Sequence, residues 1–211
     1  ALPQVEAASR RITTTGMATS PDGAFGVSSI GIEPEGEAPV NLIAQPENIV
    51  AGRFLTAADR DMVYIGKGLA IAMGVGAGDR FILVGTNTHD QSRQRTMTVA
   101  GVYDLNMPDL EKQTMYISLG EAQELYSLEG KTTEVVIMLK QLGQEQAVIK
   151  KLAPLFPDSE IDSWETNYPE MQNALGTKTR AMEVFSIIML FIAGIGMTMI
   201  ILLGDIDLSV G

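Results

Sequence analysis

The 211-residue sequence predicts an α+β protein, a mixed polar domain followed by a long helix that enters a membrane. Three observations carry that reading. Hydrophobic residues make up 45% of the chain and charged residues 19%, a balance that can bury a core and is unlike the composition of disordered chains. Short β-branched runs alternate with short helical patterns as far as Trp164. From Val184 to Gly204 the sequence VFSIIMLFIAGIGMTMIILLG holds 21 residues without a charge, and about 20 apolar residues at 1.5 Å each span a hydrocarbon core of about 30 Å.

In chain order, Thr13–Thr19 and Ala24–Ile32 read as strands around the turn Ser20-Pro21-Asp22-Gly23. Glu33–Pro46, with three prolines and three glutamates, reads as an exposed loop. Asp61–Ile65 is a short strand and Gly68–Met73 a short helix, ended by the glycine-rich stretch Gly74-Val75-Gly76-Ala77-Gly78. Phe81–Val84 and Thr96–Tyr103 are the next strands, joined by a polar hairpin loop, TNTHDQSRQR. Met115–Ile117 is a strand leading into a helix from Leu119 to about Ser127. Thr133–Leu139, Gln144–Leu155 and Ser159–Trp164 read as a β-α-β unit. From Glu165 the pattern is helical and runs on into the apolar span, which would couple domain and anchor by one rigid rod.

Composition excludes several chemistries. With no cysteine there is no disulfide framework, thiolate nucleophile or Cys-ligated metal, and the single histidine, His89, rules out multi-histidine metal sites. A formal net charge of −11 sets nucleic acid aside, because that binding draws most of its affinity from Lys and Arg on phosphates. The glycine stretch lacks the Lys-Ser/Thr of a phosphate loop and follows a helix where a phosphate site would open one. His89 beside Asp90 reads as exposed, Asp59/Asp61 and Asp158/Glu160/Asp162 as solvated acids without calcium-loop spacing, and Trp164 with Tyr168 as packing at the domain base. No residue stands out as catalytic, cofactor-binding or metal-binding, so the expectation is a non-enzyme without cofactors. All 15 basic residues precede residue 184, and against 24 acidic ones they leave the polar part at −9. Lys178 and Arg180 before the span, with only Asp205 and Asp207 after it, put that part in the cytoplasm by the positive-inside rule.

A family resemblance sits on Leu2-Pro3-Gln4-Val5 with Arg10, Gly31-Ile32-Glu33-Pro34-Glu35, Gly52-Arg53-Phe54-Leu55, Ile65-Gly66-Lys67-Gly68-Leu69-Ala70 and Gly76-Ala77-Gly78-Asp79. It continues through Val99-Ala100-Gly101-Val102-Tyr103, Tyr116-Ile117-Ser118-Leu119 with Ala122-Gln123, and Ser163-Trp164. In this order and spacing, over roughly residues 1–203, the chain resembles the extracytoplasmic core domain of ABC-transporter permeases of the macrolide-exporter (MacB), lipoprotein-releasing (LolC/LolE) and FtsX-like type.

The resemblance implies a two-subdomain periplasmic core: a porter-like β-α-β part from 1–47 and 128–164, and an inserted mixed α/β part over 48–127. A stalk helix over 165–183, a transmembrane helix over 184–204 and a tail over 205–211 would follow. It places the domain in the periplasm, anchored in the bacterial inner membrane, and this placement is adopted over the charge count because large domains translocate largely regardless of charge. The implied partners are an ABC-type ATPase, a second permease copy in a homo- or heterodimer, and a periplasmic adaptor or chaperone. The implied function is transmission of ATP-driven motion to export or extraction of a lipoprotein, peptide or drug; the alternative is an FtsX-like regulator or scaffold that activates a partner enzyme across the membrane. Relative to the family, the first membrane helix and first strand are absent, which makes the chain a fragment. Gly204–Gly211 is similar to a stretch of sugar-type ABC permeases in place of the family's coupling segment, as a chimeric terminus would be.

Overall fold

The computed structural model describes residues 2–163 except 40, 142 and 158. The stalk, the apolar run and the tail lie outside the described residues, and no helix among the described residues is long and apolar enough to cross a membrane. The chain divides into two units, Ala1–Leu142 and Gly143–Gly211.

In the first unit, β1 (Val5–Ser20) and β2 (Gly23–Ile32) form a hairpin through Pro21-Asp22. A four-residue helix α1 (Pro34–Glu37), two 3-10 turns and the short β3 (Ile49–Gly52) lead to β4 (Met62–Gly66), which passes directly into α2 (Lys67–Met73). A second hairpin, β5 (Arg80–Thr86) and β6 (Ser92–Tyr103), is followed by the four-residue α3 (Pro108–Glu111), β7 (Thr114–Ser118), α4 (Leu119–Tyr126) and β8 (Glu134–Leu139). The second unit contains α5 (Glu145–Leu152) and a 3-10 turn.

The strand pairings close on themselves. β1 pairs with β2, β2 with β7, β7 with β4, β4 with β6, β6 with β5, and β5 again with β1, so six strands make a barrel. Two of these pairings, β2–β7 and β4–β6, are parallel. The period-2 alternation of each strand then sorts side chains inward and outward. Ile12, Ala18, Val27, Val63, Ile65, Phe81, Leu83, Met97, Met115 and Ile117 fill the interior with Leu69 and Met73 of α2 and Leu125 and Tyr126 of α4. A register shift opposite Val63/Tyr64, where Ala100 is the extra residue, lets both Val99 and Val102 join this core.

A second, smaller core lies on the other face of β4 and β7. Tyr64, Tyr103 and Tyr116 pack with Ile32, Ile43 and Leu55 under the 33–60 connection. Phe54 meets Tyr64 edge-on with centroids 5.3 Å apart, and Tyr64 lies 5.3 Å from Tyr103. The Tyr64 hydroxyl donates to the Ile43 carbonyl at 2.9 Å, and burial pushes the pKa of both Tyr64 and Tyr103 up.

The barrel is built from two matched halves. Apart from β3 and two 3-10 turns inserted before β4, each runs hairpin, short helix, strand, helix: β1-β2-α1-β4-α2, then β5-β6-α3-β7-α4. The halves interlock, since β2 of the first pairs with β7 of the second and β6 of the second with β4 of the first. Both short helices open on proline at the first helical position, Pro34-Glu35-Gly36-Glu37 and Pro108-Asp109-Leu110-Glu111, and in both the fourth residue is a buried glutamate.

Most expected elements are present: strands at 62–66, 80–86, 114–118 and 134–139, and helices at 67–73, 119–126 and 145–152. The glycine-rich stretch ends α2 as expected, with Gly74 left-handed at φ 63°. β1 and β2 share one sheet and one interior with β4–β7, and β1, 16 residues long, pairs with three strands along its two edges. Three expectations are corrected. Glu33–Pro46 is not simply an exposed loop, because it buries Glu37 and Ile43. The hairpin loop shrinks to Asn87–Gln91, since β6 extends back to Ser92. No strand forms over the described residues 159–163, so the β-α-β unit is not seen there.

Candidate functional site

The chain enters and leaves the barrel unit side by side. Beyond Arg11, β1 has no pairing with β2 or β5 and pairs only with β8, from Arg11↔Glu134 to Val5↔Leu139. The Lys140 amide adds a bond to the Gln4 carbonyl at 3.0 Å. The result is a two-stranded ribbon, continuous with the barrel wall through β1, whose strands are the first and last of the unit.

A cluster of charged and hydroxyl groups fixes the ribbon where it leaves the barrel. β2 stops at Ile32, and α1 turns back against the vacated edge of β1; a Cβ on Gly36 would come within 3.2 Å of the Ala8 carbonyl oxygen. This carries Glu37 inward, where its side chain is fully buried against Arg11, itself 17% exposed. Arg11 donates to both Glu37 oxygens through Nε and Nη2, a bidentate pair. Ser9 Oγ donates to Glu37 Oε2 at 2.6 Å, and Asn41 Nδ2 donates to Oε1 at 2.8 Å. Arg10 donates to Glu33 on the exposed side of the same turn. On the opposite edge, Thr133 Oγ1 accepts from the Thr13 amide and Thr13 Oγ1 donates to Glu134, each at 2.8 Å.

A second cluster joins α4 to the starts of β4 and β6. Ser118 Oγ accepts from the Glu121 amide at 3.2 Å and donates to the Asp59 carbonyl at 3.0 Å, an N-cap with a tertiary contact. The buried Glu121 accepts from the Asp61 amide at 3.0 Å and from Arg95 Nη1 at 2.6 Å, while Arg95 Nη2 reaches Glu124 at 2.8 Å. The hydrogen bonds that Arg95 donates to Glu124 and Glu121 hold its guanidinium charged, with its pKa raised. Chemically both clusters are clamps: their carboxylates are occupied by guanidinium, amide and hydroxyl donors.

Several surface carboxylates are also held below their ordinary pKa, Glu33 by hydrogen bonds from Arg10, Asp59 by Arg53 and Asp104 by Lys67. Such groups bind fewer protons in the folded chain than in the unfolded one. Their contribution is therefore complete above the ordinary carboxylate range, about pH 4, and is lost as pH falls through their lowered values. Urea unfolding followed by pulse proteolysis should give a midpoint that is flat from pH 6 to 8 and drops below pH 4, with a smaller acid drop in Arg53→Gln. An acid drop as large in that variant as in the parent would remove the Arg53–Asp59 pair from the account.

The residues weighed from sequence do not converge. His89 is exposed in the β5–β6 loop, where its amide, like that of Gln91, bonds Asn87 Oδ1. Asp59 is bound by Arg53 and the Thr56 amide, and Asp61 lies 3.7 Å from Arg95. Glu160 and Asp162 are exposed, and Asp158, Trp164 and Tyr168 lie outside the described residues. No group of three or more potential metal ligands occurs among the described residues. The sequence reading missed Ser9, Arg11, Glu37 and Glu121; the repeated Pro-x-x-Glu at 34–37 and 108–111 was the signal available for Glu37.

No protein-family profile matches the sequence, and no curated protein matches it. Among solved structures, the chain is similar to the extracellular domain of the noncanonic ABC-type transporter YknZ from Gram-positive bacteria, at 13% identity over 75% of this chain and 80% of that one, with a TM-score of 0.52. It is also similar to the periplasmic region of MacB from Actinobacillus actinomycetemcomitans, at 14% identity over 73% of this chain and 67% of that one, with a TM-score of 0.49. The fold is therefore similar to that of the YknZ extracellular domain.

Proposed function

We propose that this chain is the extracytoplasmic core of an ABC-transporter permease, a non-catalytic part that passes ATP-driven motion from the membrane to a cargo outside it. The fold likeness to the YknZ extracellular domain carries the reading. The ribbon that admits and releases the chain at one place supports it, because one connection suffices to move the barrel as a body. The cargo classes are those of the resembled permeases: a lipoprotein, a peptide or a drug. An ATPase on the cytoplasmic side, a second permease copy and an extracytoplasmic adaptor complete the assembly, in the cytoplasmic membrane with this domain outside.

The test uses the absence of cysteine. In a permease carrying this chain, a cysteine at Ser92 should react with an impermeant thiol reagent in intact spheroplasts, and one at Ser209 only after permeabilisation. Thr179→Pro, placed between the domain and the apolar run, should abolish transport while leaving basal ATP hydrolysis, because proline breaks the stiffness of a helix. Labelling at Ser209 alone, or full transport by a well-expressed Thr179→Pro variant, would refute the proposal.

A further inference from the structure

We infer that the last turn of α4 is seated on the β1–β2 hairpin through one buried water, bound by the hydroxyls of Thr14, Ser29 and Tyr126. Ser29 is 0% and Tyr126 1% exposed, and their hydroxyl oxygens, with Thr14 Oγ1, are sealed from solvent and have no hydrogen-bond partner among the described residues. A buried hydroxyl without a partner keeps its whole desolvation cost, and three of them in one sector of one core call for a common explanation.

The pairings put the three together. Inward positions run Ile12, Thr14, Gly16 along β1 and Gly31, Ser29, Val27 along β2, directly opposed in that order. α4 touches this row at both ends. Ala122 lies at the Ile12–Gly31 pair, its Cβ 2.3 Å from where a Gly31 Cβ would stand. Tyr126, one turn on, crosses Gly85, the β5 partner of Gly16, with its Oη 3.3 Å from where a Gly85 Cβ would stand. Thr14–Ser29 is the pair between. Its two oxygens do not bond each other, and the Cβ atoms of a directly opposed pair lie about 4.5–5.5 Å apart, a gap that one oxygen making two bonds of about 2.8 Å closes. Tyr126 supplies the third bond, and about three is the usual number for a buried water. Each hydroxyl can donate or accept, which suits a guest that does both.

The matched half of the barrel shows that the architecture does not itself require these groups. Ser29 stands beside Met115 of β7 where Val99 of β6 stands beside Val63 of β4, and Val99 belongs to the apolar core. Tyr126 is eight residues past the end of β7, and the residue eight past the end of β4 is Gly74. One half therefore closes without the hydroxyls that the other buries at the same two places, which assigns them to a polar guest. Through Tyr126 the guest also steadies the β5–β6 loop, since the Tyr126 carbonyl accepts from the Thr88 amide at 3.3 Å. The inference is independent of the transport reading.

The experiment is urea unfolding of the full chain read by pulse proteolysis, with long-lived waters counted by oxygen-17 relaxation of the same chain in detergent. Ser29→Ala and Tyr126→Phe each take one bond from the water, and each should lower the unfolding midpoint by about 0.5 M. Thr14→Val/Ser29→Val/Tyr126→Phe removes all three hydroxyls and puts the extra valine carbons where the water sat. It should return to within about 0.3 M of the parent, because apolar replacement of a whole polar set is nearly neutral, and it should hold one long-lived water fewer. A rise in midpoint in either single variant would mark that hydroxyl as a true orphan. Single losses with an unchanged water count in the triple variant would mean that the hydroxyls bond one another directly. Either result would overturn the inference.

Discussion

Replacing Glu37 by alanine should cost the barrel unit about 3–5 kcal/mol, the range found when one partner of a buried ion pair is removed. The loss is large because three donors converge on one fully buried carboxylate. Without it the Arg11 guanidinium, the Ser9 hydroxyl and the Asn41 amide keep their desolvation cost and lose their acceptor. The exposed pair on the same turn is the control. Arg10 and Glu33 are 57% and 36% exposed, and Glu33→Ala should cost below about 1 kcal/mol. With a urea slope of about 2 kcal/mol per molar, the two variants should differ in midpoint by at least about 1 M in pulse proteolysis of the full chain. Glu37→Gln should fall between them, since the amide oxygen still accepts from Ser9 or Asn41 while the charge is gone. Equal midpoints for Glu37→Ala and Glu33→Ala would show that the ribbon is held by its backbone pairing alone.

The same cluster explains why part of this structure could be read from sequence and part could not. Elements whose signal is local were legible. The short, mostly apolar runs Met62–Gly66 and Thr114–Ser118, the glycine that ends α2 and the β-branched run of β8 each lie within one window of about eight residues. Four-residue helices have no period to detect, so α1 and α3 passed as loop. The burial of Glu37 depends on Arg11, 26 residues earlier, and on the edge of β1 that α1 covers; a segment rich in proline and glutamate gives no local hint of either. Barrel closure is less local still. Ser28–Ile32 pairs in parallel with Thr114–Ser118 across most of the unit, and one long strand serves β2, β5 and β8 in turn. Ser159–Trp164 holds only two apolar residues, Ile161 and Trp164, and their spacing of three is not the period of a strand.

Close packing of a helix on the barrel makes the last prediction. β2 carries glycine at 31, and a Cβ placed there would lie 2.3 Å from the Ala122 Cβ of α4 and 3.6 Å from the Ile12 Cβ. α4 therefore sits on β2 at a separation that leaves room for one methyl group, and Ala122 supplies it. Gly31→Ala puts two methyls into that space. The helix has to lift from the barrel, carrying Leu125 and Tyr126 away from the core they fill, and overpacking of this kind costs about 1–3 kcal/mol. Ala122→Gly alone loses buried contact and about 1 kcal/mol of helix propensity. The double variant Gly31→Ala/Ala122→Gly moves the methyl from helix to strand and restores the count, so it should be more stable than Gly31→Ala and show a coupling of about 1–3 kcal/mol in a double-mutant cycle. Gly101 sets the contrast. A Cβ there would lie 2.4 Å from the Arg53 carbonyl oxygen and 2.7 Å from its amide nitrogen, which are backbone atoms, so no side-chain substitution can make room for Gly101→Ala. Additive losses at 31 and 122 would mean that α4 can shift freely on the barrel.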